Sequence, residues 1–128
     1  MPTTEYLVDT NILIYHTKGS QATADFLNDL IIKQSFNISI LTKIEFLGWN
    51  KHTAEGFKKC KYLVGVANVY YVDESIADKA IELRRKTNIK LADAVIAATA
   101  LIHNLKLATT NIGDFNGIAT LGLFNPLA

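Results

Sequence analysis

Asp9, Glu45, Asp93 and Asp114 are the side chains of this 128-residue sequence whose type and placement invite chemistry. Asp9 stands directly behind the apolar triplet Tyr6-Leu7-Val8, in the stretch "YLVDTN". A strand built for burial avoids an ionised aspartate, because an unpaired charge away from water is costly. Asp9 therefore either marks the place where a strand meets solvent or has a partner that needs its charge. Asp93 and Asp114 are the only two acids between residue 91 and the last residue. Clustered carboxylates with no Cys and no nearby His favour a hard, oxygen-loving cation, Mg²⁺ or Mn²⁺. Such an ion activates a water and neutralises charge on a phosphate under in-line attack. The acids alone would repel a polyanion, so the ion is what would make phosphodiester chemistry possible beside them.

The clustering depends on the elements that carry these acids. "YLV" (6–8), "NISI" (37–40), "NVYYV" (68–72) and "LKLAT" (105–109) are short apolar runs of strand character, and "IATLGLF" (118–124) holds room for a last short strand. Helical spacing marks 20–34, with Ser20 as N-cap and Ala24, Leu27, Leu30 and Ile31 on one face. Helices are also expected over 42–50, 53–66, 75–86 with Ser75 as N-cap, and the Ala-rich 91–104. Alternation of this kind predicts one domain over residues 1–128 of the α/β class. Its architecture is a three-layer α/β/α sandwich around a mostly parallel sheet of four to five strands. Ligands of such sheets bind beyond the carboxyl ends of the strands, where the strand order reverses. Asp9, Glu45 and Asp114 follow the first, second and fourth strands. Asp93 opens the helix that returns as the fourth strand, so it should start at the same edge, unless 75–86 and 91–104 form a hairpin that puts it at the other end.

Each acid also has an ordinary structural explanation. Glu45 lies three residues after Thr42, so "TKIE" reads as a capping box in the first turn of its helix. Asp93 suits a helix N-terminus, Asp114 suits a Gly-containing turn, and Asp9 could simply leave its strand into water.

Bulk properties set the frame. With 49% apolar and 20% charged residues the composition is globular, and the length suffices to bury a core without staples. The single cysteine, Cys60, shares a helical face with Phe57 and Val64 and reads as a small core residue. No signal peptide and no membrane-length apolar run is visible, so a soluble, cytoplasmic protein is expected. The net charge of +1 is unevenly spread: residues 51–90 carry nine Lys/Arg against five acids. That excess sits in "KHTAEGFKKCK" and "RRKTNIK", which could grip phosphates or face solvent.

The residues just named resemble a family, the PIN-domain ribonucleases, and within it the VapC-type toxins. "LVDTNILIYH" (7–16) looks like the family's opening strand and its acid. "LADAVIAATALIHNLKLATTNIGDFNGI" (91–118) is similar to the second signature, an Asp at a helix start followed by T-x-N-x-x-D-F, and "LGLFNP" (121–126) fits the ending. The resemblance spans nearly the whole chain, with a weaker middle in which Glu45 is placed by its position after the second strand. It implies a Mg²⁺-dependent endoribonuclease with a five-stranded parallel sheet. The metal would be ligated by Asp9 and Asp93, with Glu45 and Asp114 completing a catalytic acidic pocket. Asn11, Thr109 and Asn111 would orient carboxylates or water, and Thr110 stands where the family often carries a basic residue. Homodimerisation and inhibition by a small VapB-like antitoxin are also implied.

Other readings compete. A haloacid-dehalogenase-type phosphotransferase needs a second Asp two residues beyond the first as general acid; that position is Asn11. A phosphate-receiver-like binding module could use Asp73, behind the third strand, but needs an acidic pair after the first strand and a Lys after the last. A catalytically inactive PIN fold serving as a binding module would not need all four acids. His52 and His103 read as surface or helix-end residues, His16 as a minor neighbour of the pocket, and Trp49 as core or dimer interface. A protein partner is expected to dock on exposed apolar side chains of residues 42–66.

Overall fold

Residues 4–128 are described by a computed structural model. The elements run β1 (Tyr6–Val8), α1 (Thr10–Thr17), α2 (Gln21–Ile32), β2 (Phe36–Ser39), α3 (Ile40–Leu47) and α4 (Ala54–Gly65). They continue as β3 (Asn68–Tyr70), α5 (Glu74–Lys86), α6 (Leu91–Ile102), β4 (Lys106–Ala108), α7 (Ile112–Phe115) and β5 (Leu123–Phe124). The five strands form one sheet in the order β3-β2-β1-β4-β5, and every pairing is parallel. Leu7 sits between Asn37 of β2 and Leu107 of β4. The order reverses at β1, so the crevice beyond the carboxyl ends of β1 and β4 is the switch point of the sheet.

Strand alternation builds the two helical layers. Leu7 and its β4 neighbour Leu107 point to one side, where Ile76, Ala80, Ile96 and Ala97 of α5 and α6 cover them. Val8, Phe36 and Ile38 point to the other, against Ile12, Leu27, Phe46 and Cys60 from α1 to α4. Leu7 and Val8 are both fully buried, as a central strand covered on both faces requires. Gly19, with φ of +87°, makes the left-handed turn between α1 and α2 that an L side chain would resist.

Four expectations change. Residues 10–17 form α1, which the sequence pattern does not announce. Ile12-Leu13-Ile14-Tyr15 is an unbroken apolar run with no helical stripe, because Ile12 and Leu13 are both fully buried. The "TKIE" capping box does not form. Ser39 caps α3 by accepting from the Leu41 N–H, which leaves Glu45 in the second turn. Ser75 is inside α5; the cap is Asp73, whose carboxylate accepts from the Ile76 N–H at 2.9 Å. Asp114 lies on the single-turn helix α7, not in an open turn.

Candidate active site

Asp9 is held from three directions. It is the first residue beyond β1, and its backbone N–H donates to the O of Ala108, the last residue of β4, at 2.9 Å. Its carboxylate Oδ1 accepts from the Thr10 N–H at 2.8 Å. Oδ2 accepts from the Thr109 hydroxyl at 2.8 Å and from the Asn11 amide at 3.2 Å. Asp9 is only 6% exposed. Burial pushes its carboxyl from 3.8 up to about 6, against the pull of the Thr109 and Thr10 hydrogen bonds. The negative charges of Asp93 and Glu45 push it in the same direction as burial. Asp9 is therefore neither a strand end open to water nor a paired ion.

Asp93 is half-buried in the first turn of α6. Burial raises its pKa, and the charges of Asp114 and Glu45 add to that. Asp9 thus lies within electrostatic reach of Asp93 and Glu45, and Asp93 within reach of Glu45 and Asp114, at one edge of the sheet. The hairpin concern is answered by the link 87–90 between α5 and α6, which lines a cleft of about 350 Å³ together with Asp93 and Asp114. The link thus sits at the carboxyl edge, and α6 starts there.

Glu45 is exposed, yet its Oε1 accepts from the Thr10 hydroxyl at 2.7 Å. A side chain that turns back to the residue after Asp9 is not a helix cap. Asp114 is exposed at the rim. Asn11 ties the two loops together: its amide reaches Asp9 and the Thr109 hydroxyl, and its carbonyl accepts from the Thr110 N–H at 3.2 Å. Thr109 is fully buried, and Asn111 supports it through a backbone N–H donated to its hydroxyl at 3.0 Å. Thr10 escaped the sequence reading; its only signal there was a hydroxyl adjacent to Asp9.

The histidines stand apart. His16 lies near the far end of α1, roughly 10 Å of helix from Asp9, and lines a separate cleft with His52, Lys59 and Cys60. His52 is not a surface residue. Its Nε2–H donates to Phe46 O at 2.7 Å, and its ring meets Phe46 and Trp49 edge-on. His103 caps the far end of α6, its ring tilted against that of Tyr70. Cys60 is buried, and desolvation pushes its thiol up.

The donors at the edge are carboxylate, hydroxyl and amide oxygens, without sulfur or imidazole, which is the set a hard divalent cation takes. Asp9 and Asp93 both have raised pKa values, and Lys90 offsets part of the rise at Asp93. The chemistry of these donors therefore suits a divalent cation. Among the described residues no three His, Cys, Asp or Glu side chains stand close enough together to hold a metal ion as they are placed. Asp9 is buried and Asp93 half-buried, while Glu45 and Asp114 are exposed at the rim.

Comparison with known proteins agrees with this geometry. The family model of the PIN domain matches residues 6–120. The ribonuclease VapC10 of Mycobacterium tuberculosis is 33% identical over 114 residues, which is 85% of this chain and 84% of that protein. Among solved structures, a toxin–antitoxin complex from Klebsiella pneumoniae has a chain that superposes with a TM-score of 0.79 at 30% identity, covering 95% of this chain and 98% of that one. VapBC-1 from nontypeable Haemophilus influenzae superposes with a TM-score of 0.82 at 25% identity, over 98% and 100% of the two chains. A sheet with its reversal at β1, an acid fixed behind that strand and a family match over nearly the whole length lead to one assignment: the chain belongs to the PIN-domain family, in its VapC-type branch.

Proposed function

We propose that this chain is a metal-dependent endoribonuclease that hydrolyses RNA phosphodiester bonds, the toxin of a VapBC-like pair. The observation that carries the reading is the buried, uncompensated Asp9 carboxylate at the sheet's switch point, facing Asp93. Asp9 and Asp93 would hold a Mg²⁺ or Mn²⁺ ion, with Glu45 and Asp114 completing the pocket from the rim. The ion, when bound, supplies positive charge for the phosphate and a lowered pKa for water. The chain's own part is positioning. Thr109 and Asn11 fix the Asp9 carboxylate, and Thr10 keeps Glu45 turned toward the pocket. Burial ensures that Asp9 gains by meeting a cation and is costly to ionise without one.

The toxin reading draws on the solved relatives, which are toxin–antitoxin complexes. A small VapB-like protein is thus the partner expected for this chain, and a homodimer the expected assembly. Among the described residues no helix is long and apolar enough to cross a membrane, and we place the activity in the cytoplasm, with its RNA. Ile44 and Tyr62 are well exposed at 60% and 79%, and Phe57 and Val66 are exposed too; these are the apolar side chains of α3 to Val66 open to a protein partner. An inactive binding module is the weaker alternative, because it leaves the charge of four acids at one sheet edge unexplained.

The test is cleavage of a structured RNA with Mg²⁺, with chelator, and by the Asp9→Asn and Asp93→Asn variants. Cutting is expected only by the unmutated chain with Mg²⁺. Robust cutting by either variant would overturn the assignment.

A further inference from the structure

The cleft bounded by Asp93 and Asp114 extends beyond what one cation needs. At about 350 Å³ it reaches the size of small-molecule sites, roughly 300–1,000 Å³. Its far wall is the α5–α6 link with Asn88 and Lys90, and its floor runs through Asn116 and Gly117 behind α7. Lys90 is exposed and sits near enough to Asp93 to ease its charge. It is nevertheless free of ion pairs: among the described residues these engage only Lys33, Lys79 and Lys86. Asn88 and Asn116 are exposed, and their side-chain amides can both donate and accept.

We propose that this cleft holds a nucleoside flanking the scissile phosphate of a single-stranded RNA, with Lys90 on the adjacent phosphate and Asn88 and Asn116 against the base edge. The proposal rests on the ribonuclease reading and adds the substrate's path to it. A strand approaching four carboxylates needs a cation beside them that the acids have not already consumed, and Lys90 is that cation. Arg84 and Arg85, exposed in the last turn of α5 just before the link, continue the positive charge outward. The sequence cluster "RRKTNIK" therefore borders the reaction site, whereas Lys58, Lys59 and Lys61 of "KHTAEGFKKCK" lie on α4, in the opposite helical layer. Only an unstacked base can enter such a cleft, and amide groups read the edge of a base once it is splayed from its neighbours.

The test measures binding apart from cleavage. The full chain carrying Asp9→Asn is titrated in Mg²⁺ against a short, labelled, single-stranded RNA of mixed sequence, followed by fluorescence anisotropy. Adding Lys90→Gln is expected to weaken binding about tenfold and to reduce the slope of log affinity against log salt by about 0.7. Lys90→Arg should restore most of both. Gly117→Leu, whose Cβ would come to 3.9 Å from Thr87 Cγ2, narrows the cleft and should weaken binding comparably. The pair Lys58→Gln and Lys61→Gln on α4 should change affinity by less than about twofold. Equal affinity with and without Lys90, an equal loss from the α4 pair, or no binding by the parent overturns the proposal. RNA binding that depends on Lys90, from an unmutated chain that never cleaves with Mg²⁺, overturns the ribonuclease reading instead and leaves the cleft assignment standing.

Discussion

The hydroxyl of Thr109 donates to Asp9 Oδ2 at 2.8 Å across a sequence gap of 100 residues. This one bond fastens the end of β4 to the end of β1, and it is the strongest of the groups that keep the Asp9 carboxyl from rising further. Thr109→Val keeps the shape of the side chain and removes the donor. It also leaves the Asn111 N–H and one Asn11 contact without their acceptor. We expect Asp9 to titrate above its present value of about 6, read by ¹³C NMR of the Asp carboxyls. A stability loss of about 1–3 kcal/mol should accompany it. Thr109→Ser should restore the titration, because a serine hydroxyl reaches the same oxygen.

Asp9 also makes the metal-free protein sensitive to pH. Its carboxyl titrates near 3.8 when unfolded and at about 6 when folded, so between those values the folded chain binds more protons. Stability therefore falls as pH rises through this window, and the full penalty is present above it. Its ceiling is about 3 kcal/mol, one pKa unit being about 1.4 kcal/mol. Without divalent ions, the unmutated chain should therefore lose stability between pH 3.8 and about 6, whereas Asp9→Asn, whose side chain does not titrate, should lack that share of the pH dependence; urea titrations at pH 3.8 and 7.5 check the sign. Asp93, whose pKa is also raised, contributes in the same direction.

A cation reverses that penalty. Bound only by the folded chain, Mg²⁺ at a hundred times its dissociation constant should stabilise it by about 2.7 kcal/mol. The shift should vanish in the Asp9→Asn/Asp93→Asn double variant, because the two proposed ligands are gone. Thermal denaturation with and without Mg²⁺ measures both. An equal Mg²⁺ shift in the double variant would show that the ion binds elsewhere.

The strands were legible because their cores are short apolar runs, and the sheet's parallel character followed from the helices between them. The acids at strand ends were legible for the same reason: once a strand is placed, the residue behind it is at the ligand edge. What sequence spacing could not express was direction within a turn. Thr42 and Glu45 have the spacing of a capping box, but Ser39 had already started the helix, so Glu45 was free to meet Thr10. Helix α1 was hidden because a helix with Ile12 and Leu13 both buried shows no amphipathic stripe. Lys90 could not be singled out from the other cations of its cluster, since only the fold brings the 87–90 link beside Asp93 and Asp114.

The start of α5 turns that lesson into a measurement. Ser75 and Asp73 are both N-cap residue types two positions apart, and a sequence offers no rule that chooses between them. The choice was made by backbone geometry: Asp73 is extended, with ψ of −175°, and its Oδ1 reaches the Ile76 N–H, whereas Ser75 is already helical. Ile76 is fully buried and packs into the core shared with Leu7 and Ile96, so a lost cap frays the helix where it enters that core. Asp73→Ala should cost about 1 kcal/mol in urea denaturation, while Ser75→Ala, at an exposed helical position, should change stability by less than about 0.5 kcal/mol. Asp73→Asn keeps the acceptor and should hold most of the stability, which separates the cap's hydrogen bond from the charge at the helix N-terminus. RNA cleavage should be unaffected by all three, because a phosphate-receiver role for Asp73 is the only reading in which this carboxylate carries chemistry.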